Sequence, residues 1–442
     1  MRARTVGEVP TQNFAGMAGP QILKPGEGFD VEQLLTPAEA RAAYFAAVTI
    51  APPAVERVGL ADAPGRILAA AAVADVDYPA DSRSTMDGFA MAAAGGRGVR
   101  RIIGEIRMGH APPGAIGPGE AMRIPTGGVL PPGADAVVPI EDATESQAPG
   151  GGPAVVPNDE VVAGDNITPP GSDMRPGDCV LDAGRRIGGP ELAVLATLGI
   201  VAVPVYRRPR VAIVSTGDEL VDSASQPGRG QVRDSNRWAL GGSLMALGCV
   251  PVHRPVAVDT PEALTAALRA ALDAADAVVL TGGSSVGIRD LTPRVIDDLG
   301  KPGVIVHGLR VKPGKPTVFA MLDGKPVIGL PGNPASSLMI LEAVAAPIFA
   351  RLAGAEPISE PEISAIAERP FGGRAGWTWF TPAEIRYADG RTLAAPLLLR
   401  SAHTSLLARA HGYVVVGPEP VKIAAGDAVA VRLFSGGGRG GR

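Results

Sequence analysis

Beyond about Arg210 the sequence alternates short apolar runs with helical patterns, and this alternation limits the fold of the region more than any other feature of the chain. Residues 211–214 read as a buried strand, 236–247 as a helix stopped by Gly248, and 250–258 as an extended segment. Pro261–Ala274 follows as an amphipathic helix with Leu264, Leu268 and Leu272 on one face. A strand at 277–280, a helix at Thr292–Leu299, a strand at 327–330 and a helix at 334–352 complete the series. Strands joined through helices pair in parallel, because a tight hairpin can only reverse the chain. The expectation is a mostly parallel sheet covered by helices.

The flanks read differently. Thr36 can cap a helix that has Pro37 at its first position and Glu39 at its third, so the ordered chain is expected to begin there. From 55 to 205 short β-rich runs alternate with turn clusters, which predicts mostly antiparallel sheet, with 147–157 as a long hairpin tip or a disordered loop and 190–199 as a short helix. After Pro357 the helical patterns stop and short alternating runs predict a small β-domain. The chain holds 58 Gly and 43 Pro, about twice the share of an average protein, so turns cut it often. Its net charge of −4 argues against a broad nucleic-acid surface, and any anion site must be local. Of 41 basic residues six are lysines, and two of these, Lys312 and Lys315, share one short loop. Two cysteines, Cys179 and Cys249, suit a reducing compartment, and the absence of a signal or membrane-spanning pattern leads us to expect a cytoplasmic protein.

In an open α/β sheet, ligands gather at the carboxyl ends of the strands, where loops and helix N-termini converge. The loop Ser215-Thr-Gly-Asp-Glu-Leu220 puts Asp218 and Glu219 at one strand exit, although a tight turn with a solvated acidic pair accounts for it equally. The loop Thr281-Gly282-Gly283-Ser284-Ser285-Val286-Gly287 has the glycines and hydroxyls of a phosphate cradle and precedes Asp290. Asp234 stands just before a helix, where capping is the simpler reading. Together Glu219, Asp234 and Asp290 would suffice for magnesium, which takes one or two carboxylates plus water and phosphate oxygens. Asn333 is placed to cap the helix that begins at Pro334, with Ser336 nearby. The two ammonium groups of Lys312 and Lys315 would suit a metal-bridged anion such as a phosphate or oxometalate. Met86-Asp87-Gly88-Phe89-Ala90 and Arg123-Ile-Pro-Thr126-Gly-Gly128 are, taken alone, turns.

Taken in order along the chain, these strings, with Lys312-Pro-Gly-Lys-Pro316 and Leu330-Pro-Gly-Asn-Pro334, resemble the molybdopterin molybdenumtransferase family, which includes the bacterial molybdenum insertases and the gephyrin E-domain. The resemblance covers about 35–433 and implies an elongated multidomain α/β and β chain with a three-layer α/β domain and a C-terminal β-barrel. It implies a flexible leader at 1–34, an extended domain at 35–73 and 171–205, a β-rich domain at 74–170, and a molybdopterin-binding domain at 206–356. The barrel would span 357–434 and a flexible tail 435–442. The implied activity is insertion of molybdate into adenylylated molybdopterin with Mg2+ and release of AMP, by a homodimer whose cleft is shared between subunits. Molybdopterin adenylyltransferase and molybdoenzyme chaperones are the implied partners, with no nucleic acid and no membrane.

By motif match, Glu219, Asp234 and Asp290 resemble the acidic metal and nucleotide-side residues, and Thr281, Gly282, Gly283, Ser284, Ser285 and Gly287 the phosphate and pterin contacts. Lys312, Lys315, Pro316, Ser336 and Ser401 match substrate or molybdate positions, and Asp87, Thr126 and Asp173 match positions facing the partner subunit's cleft. Thr168, Gly308 and Trp377 stand where other members carry cations. A molybdopterin adenylyltransferase, or a non-catalytic cofactor carrier or scaffold, is the alternative reading.

Overall fold

The computed structural model describes residues 30–282, 291–355, 361–398, 404–419 and 421–435. The chain forms two compact units, one of Ala70–Ala183 with Gly189–Val201, the other of the remaining chain.

In the larger unit the first helix, Pro37–Ala47, has the capping box that its sequence predicts. The Glu39 amide donates to Thr36 Oγ1 at 3.3 Å, and the Thr36 amide donates to Glu39 Oε2 at 2.8 Å. Its Tyr44 ring is fully buried, and the hydroxyl donates to the Ala320 carbonyl at 3.1 Å.

The central sheet runs in the order Val250–His253, Arg210–Ser215, Ala277–Thr281, Lys325–Leu330, Val318–Leu322, Pro302–His307. Its first four strands are parallel, as the alternation predicts. The last two add an antiparallel edge that the sequence does not announce, because Pro302–His307 is broken at Gly303 and Val318–Leu322 is apolar throughout, so neither shows a period of two. The extended segment expected at 250–258 pairs over Val250–His253, with Pro255 just beyond and lacking an amide for further pairing.

Successive residues of these strands enter different cores. Val211 and Ile213 join a cluster with Leu240, Leu244, Met339, Ile340 and Phe349, while Ala212 and Val214 join one with Leu264, Leu268, Val295 and Ile296. The helix expected at 334–352 is Pro334–Ile340 followed by a wider π turn, Leu341–Ala345, and then Ala346–Leu352. Pro347 supplies the cause, since its ring has no amide to return to the preceding turn. This stretch has a mean hydropathy of 1.5 and the length to cross a membrane, yet most of it is buried inside the first cluster.

The C-terminal strands close on themselves. Thr378–Ala388 pairs with Arg391–Pro396, which pairs with Glu362–Ala367, then Ala428–Leu433, then Gly412–Val416, which returns to Thr378–Ala388. This ring of five strands is a barrel, with Ala383, Ala394, Val414, Val416 and Val431 in its core.

The smaller unit holds a six-stranded sheet that is antiparallel except where Arg100–Glu105 meets Glu120–Ile124 in parallel. Ala143–Gln147 and Pro153–Pro157 pair as a hairpin whose tip is 148–152, shorter than the expected 147–157, because Pro153–Pro157 is strand and its Ala154 and Val155 are buried. The Gly189–Thr197 helix ends just ahead of Gly199, which has φ +69°.

Candidate active site

Three parallel strands of the central sheet end level with one another, Ser215 opposite Thr281 and Thr281 opposite Leu330. Their exit loops are tied together. The Thr216 amide donates to the Thr281 carbonyl at 2.8 Å, and the Thr216 hydroxyl donates to the Asp259 carboxylate. Gly282 has φ +95°, and a Cβ there would fall 2.0 Å from the Thr216 carbonyl oxygen, so the close approach of the first two exits needs glycine.

Asn236 joins the same edge from the first turn of Asn236–Ala246, donating through Nδ2 to the Gly332 carbonyl at 2.8 Å and the Thr281 hydroxyl at 3.4 Å. By sequence alone Asn236 has no role beyond starting a helix. The signal available was an amide side chain directly after Asp234-Ser235, facing the core side of an amphipathic helix.

Asp234 is almost completely buried, at 1% exposure. Its Oδ1 accepts the Arg237 amide at 3.3 Å, which is the capping role read from the sequence. Its Oδ2 has no hydrogen-bond partner among the described residues, and Arg237 Nε stands 3.9 Å away. Asn236 Oδ1 and Thr292 Oγ1, both buried, also lack partners among the described residues. A buried polar atom left unpaired is costly, so three at one sheet edge indicate that this edge is built to meet something further.

Glu219 is exposed after a turn in which the Leu220 amide donates to Gly217 at 3.1 Å. Its carbonyl accepts the Val232 amide at 2.8 Å, and the Asp234 amide donates to Val221 at 2.9 Å, so the backbones bearing the two acids run side by side. Among the described residues no group of three or more His, Cys, Asp or Glu side chains is gathered for a metal. The expected residues Gly283, Ser284, Ser285, Gly287, Asp290 and Ser401 lie outside the described residues.

Asn333 does not cap the helix through its side chain, contrary to expectation. The Ser337 hydroxyl instead donates to the Pro331 and Asn333 carbonyls. Ser336 is half-buried in the first turn of the same helix. Beside this edge a cavity of about 520 Å3 is lined by Ser235, Trp238, Pro334, Leu338, Thr404 and Phe434, among others.

Val311–Lys312 adds to the barrel strand beginning at Thr378, with Lys312 opposite Trp379 and its ammonium 4.3 Å from the indole centroid. The loop that follows folds back, with the Leu309 amide on the Lys315 carbonyl at 2.8 Å, and Lys315 and Pro316 are half-buried. Gly308 has φ +86°, a conformation that a lysine would occupy only under strain. Trp377 lies beneath the Arg374 guanidinium at 5.6 Å.

In the smaller unit Asp87 and Thr126 meet. The Thr126 amide and hydroxyl donate to Asp87 Oδ1 at 2.6 and 2.9 Å, and these bonds, the amide's first, hold the exposed Asp87 carboxyl below its ordinary range. Thr168 pairs opposite Arg83, whose guanidinium donates to the Gly127 carbonyl at 2.7 Å, so an arginine stands beside the position where a cation was missing. Asp173 is exposed, with its amide on the Tyr78 carbonyl at 3.1 Å.

Residues 35–199 match the family model described as the MoeA N-terminal region (domain I and II), and 212–351 match the one described as "Probable molybdopterin binding domain". The molybdopterin molybdenumtransferase of Bacillus subtilis is 31% identical over 369 residues, covering 82% of this chain and 85% of that protein. That of Haemophilus influenzae is 29% identical over 389 residues, covering 87% and 95%. A crystal structure of a molybdopterin biosynthesis MoeA protein from Pyrococcus horikoshii is 31% identical, with a TM-score of 0.72 and coverage of 91% of this chain and 99% of that one.

Proposed function

Because the chain belongs to the molybdopterin molybdenumtransferase family, transferases of molybdenum cofactor biosynthesis, we propose that it inserts molybdate into adenylylated molybdopterin and releases AMP. The observation that carries this reading is the level row of strand exits, at which Asp234 Oδ2, Asn236 Oδ1 and Thr292 Oγ1 are buried without partners among the described residues. A phosphate-bearing substrate with its hydration shell supplies the donors and acceptors that these groups lack.

The donor set also fits magnesium, whose site asks for one or two carboxylates with water and phosphate oxygens. Asp234 and Glu219 would hold it, with Asp290 as the third acid named from the sequence. When bound, the ion neutralises phosphate charge and polarises the attacked phosphorus. Asn236 and Gly282 keep the exit loops close enough to grip one ligand. Lys312 and Lys315 attract the molybdate anion, and holding it near the dithiolene couples insertion to adenylyl cleavage by proximity. Ser336, Pro316 and Ser401 complete the substrate contacts.

We take the central sheet to be a three-layer arrangement, with a helix layer against each of its two cores. In a cytoplasmic homodimer, Asp87, Thr126 and Asp173 would serve the cleft of the partner subunit. Molybdopterin adenylyltransferase would supply the substrate, and molybdoenzyme chaperones would receive the product.

The test is conversion of adenylylated molybdopterin and molybdate to active cofactor, with AMP measured alongside. Asp234→Asn keeps the shape and removes the charge, and the expected loss is about 100-fold or more, the usual scale for removing one preorganised electrostatic group. No AMP from the folded wild type would overturn the proposal, and a wild-type rate in Asp234→Asn would remove that residue from the site.

A further inference from the structure

At the opposite edge of the central sheet, the approach to the Arg210–Ser215 strand reads Arg207-Arg208-Pro209-Arg210, three arginines in four residues. A fourth, Arg66, comes from the chain beyond the Val55–Gly59 strand. All four line a cavity of about 630 Å3, together with Glu56, Asp62 and neighbouring apolar residues. The backbone beneath is fixed. The Arg207 amide donates to Ala54 at 3.0 Å, the Tyr206 amide to Ile67 at 3.0 Å, the Val250 amide to Pro209 at 2.8 Å and the Arg210 amide to Asp276 Oδ2 at 2.7 Å.

The four guanidinium groups are unequally engaged. Arg207 is committed to Asp276 through two bonds of 2.9 and 3.1 Å. Arg66 pairs with Glu56 and donates to the Tyr206 carbonyl at 2.9 Å, but it is nine-tenths buried and its Nε has no partner among the described residues. Arg210 uses Nε on the Ala274 carbonyl at 3.1 Å, which leaves its two terminal nitrogens to spend. The Arg208 carbonyl accepts Arg207 Nη1 at 3.2 Å, and the exposed Arg208 guanidinium has no hydrogen bond or ion pair among the described residues. The lining thus carries four guanidinium groups with Glu56 and Asp62, and because Asp276 takes Arg207 and Glu56 takes Arg66, the groups left for a ligand are those of Arg208 and Arg210.

We propose that this cavity is a second anion site that binds a small phosphorylated molecule through Arg208 and Arg210, with Arg66 adding charge from below. A guanidinium offers two parallel donors to two oxygens of one phosphate, so Arg208 and Arg210 together suit a doubly charged phosphate group. The depression is open to solvent, and its volume of about 630 Å3 admits a small phosphorylated molecule. The Arg210–Ser215 strand separates the two edges by about 17 Å at the usual rise per residue, so a ligand here does not compete with the reacting edge.

The experiment is calorimetric titration of inorganic pyrophosphate into the full chain, comparing wild type, Arg208→Ala and Arg208→Glu. The reacting edge can also take pyrophosphate, so the readout is the difference between variants. Arg208→Ala should weaken one class of binding about tenfold, the worth of a charged hydrogen bond, and Arg208→Glu should weaken it further, with AMP release unchanged in both. Equal affinities in all three proteins, or no saturable binding by wild type, would overturn the site. Loss of AMP release in step with binding would overturn its separateness from the reacting edge. Binding of a hexaglutamate peptide without binding of pyrophosphate would overturn the small-molecule assignment.

Discussion

Thr126 and Asp87 show how little separates a turn residue from a chemically tuned one. Asp87 is exposed, so ordinary titration would be expected, but the Thr126 amide and hydroxyl favour its charged form and lower its pKa. A carboxyl depressed in the native state contributes stability that is fully present above the unfolded pKa and fades as pH falls through the lower native value. Thr126→Val removes the hydroxyl donor and keeps the amide. Asp87 should then titrate closer to its ordinary value, and the acid limb of AMP release should move to higher pH. Carboxyl NMR of Asp87 checks this, and an unchanged titration would mean that the hydroxyl contributes nothing. Asp234 is the contrasting case, since one of its oxygens does the capping work that its position suggests while the other remains buried without a hydrogen bond among the described residues. The acid and its helix are legible in the sequence. The spare oxygen is not, because burial depends on what the other strands bring.

At the scale of elements, the strand exits depend on a single glycine. A Cβ at Gly282 would collide with the Thr216 carbonyl oxygen, and the residue has a left-handed φ as well. Gly282→Ala should cost roughly 1–3 kcal/mol from backbone strain, more if the loops part to relieve the collision, and should reduce AMP release even where the protein stays folded. Urea denaturation and the AMP assay measure the two effects separately, and wild-type stability would show that the loops tolerate separation. Most helices were readable at this scale because capping and period are local: the Thr36/Glu39 box and the Pro261–Ala274 helix form as their residues predict. The antiparallel edge strands and the π turn near Pro347 were not, because an apolar run without period reveals burial but not direction.

At the scale of the larger unit, one core cluster takes in the first helix, one side of the central sheet, the 334–352 stretch and, through Phe380, Leu407 and Tyr413, the C-terminal barrel region. These parts should therefore unfold together. Trp238 lies in the α/β part and Trp379 in the barrel, so variants that keep one of them as the single tryptophan give each part its own fluorescence probe. Phe349→Ala should destabilise by about 3–5 kcal/mol and shift both probes equally. If only the Trp238 signal moved, the barrel would be an independent folding unit.

The sequence by itself determined the kinds of element, the parallel character of the central sheet and the loops that carry its chemistry, because period, caps and turn residues act over a few positions. Tertiary structure alone decided which polar atoms at the strand exits lack partners among the described residues, that Asn236 binds the exit loops together, and that the Arg208 guanidinium, without a partner among those residues, lies beside three other arginines at the far edge. Each of these is a property of neighbours far apart in the chain, and hydrogen-bond satisfaction and charge excess exist only once those neighbours have met.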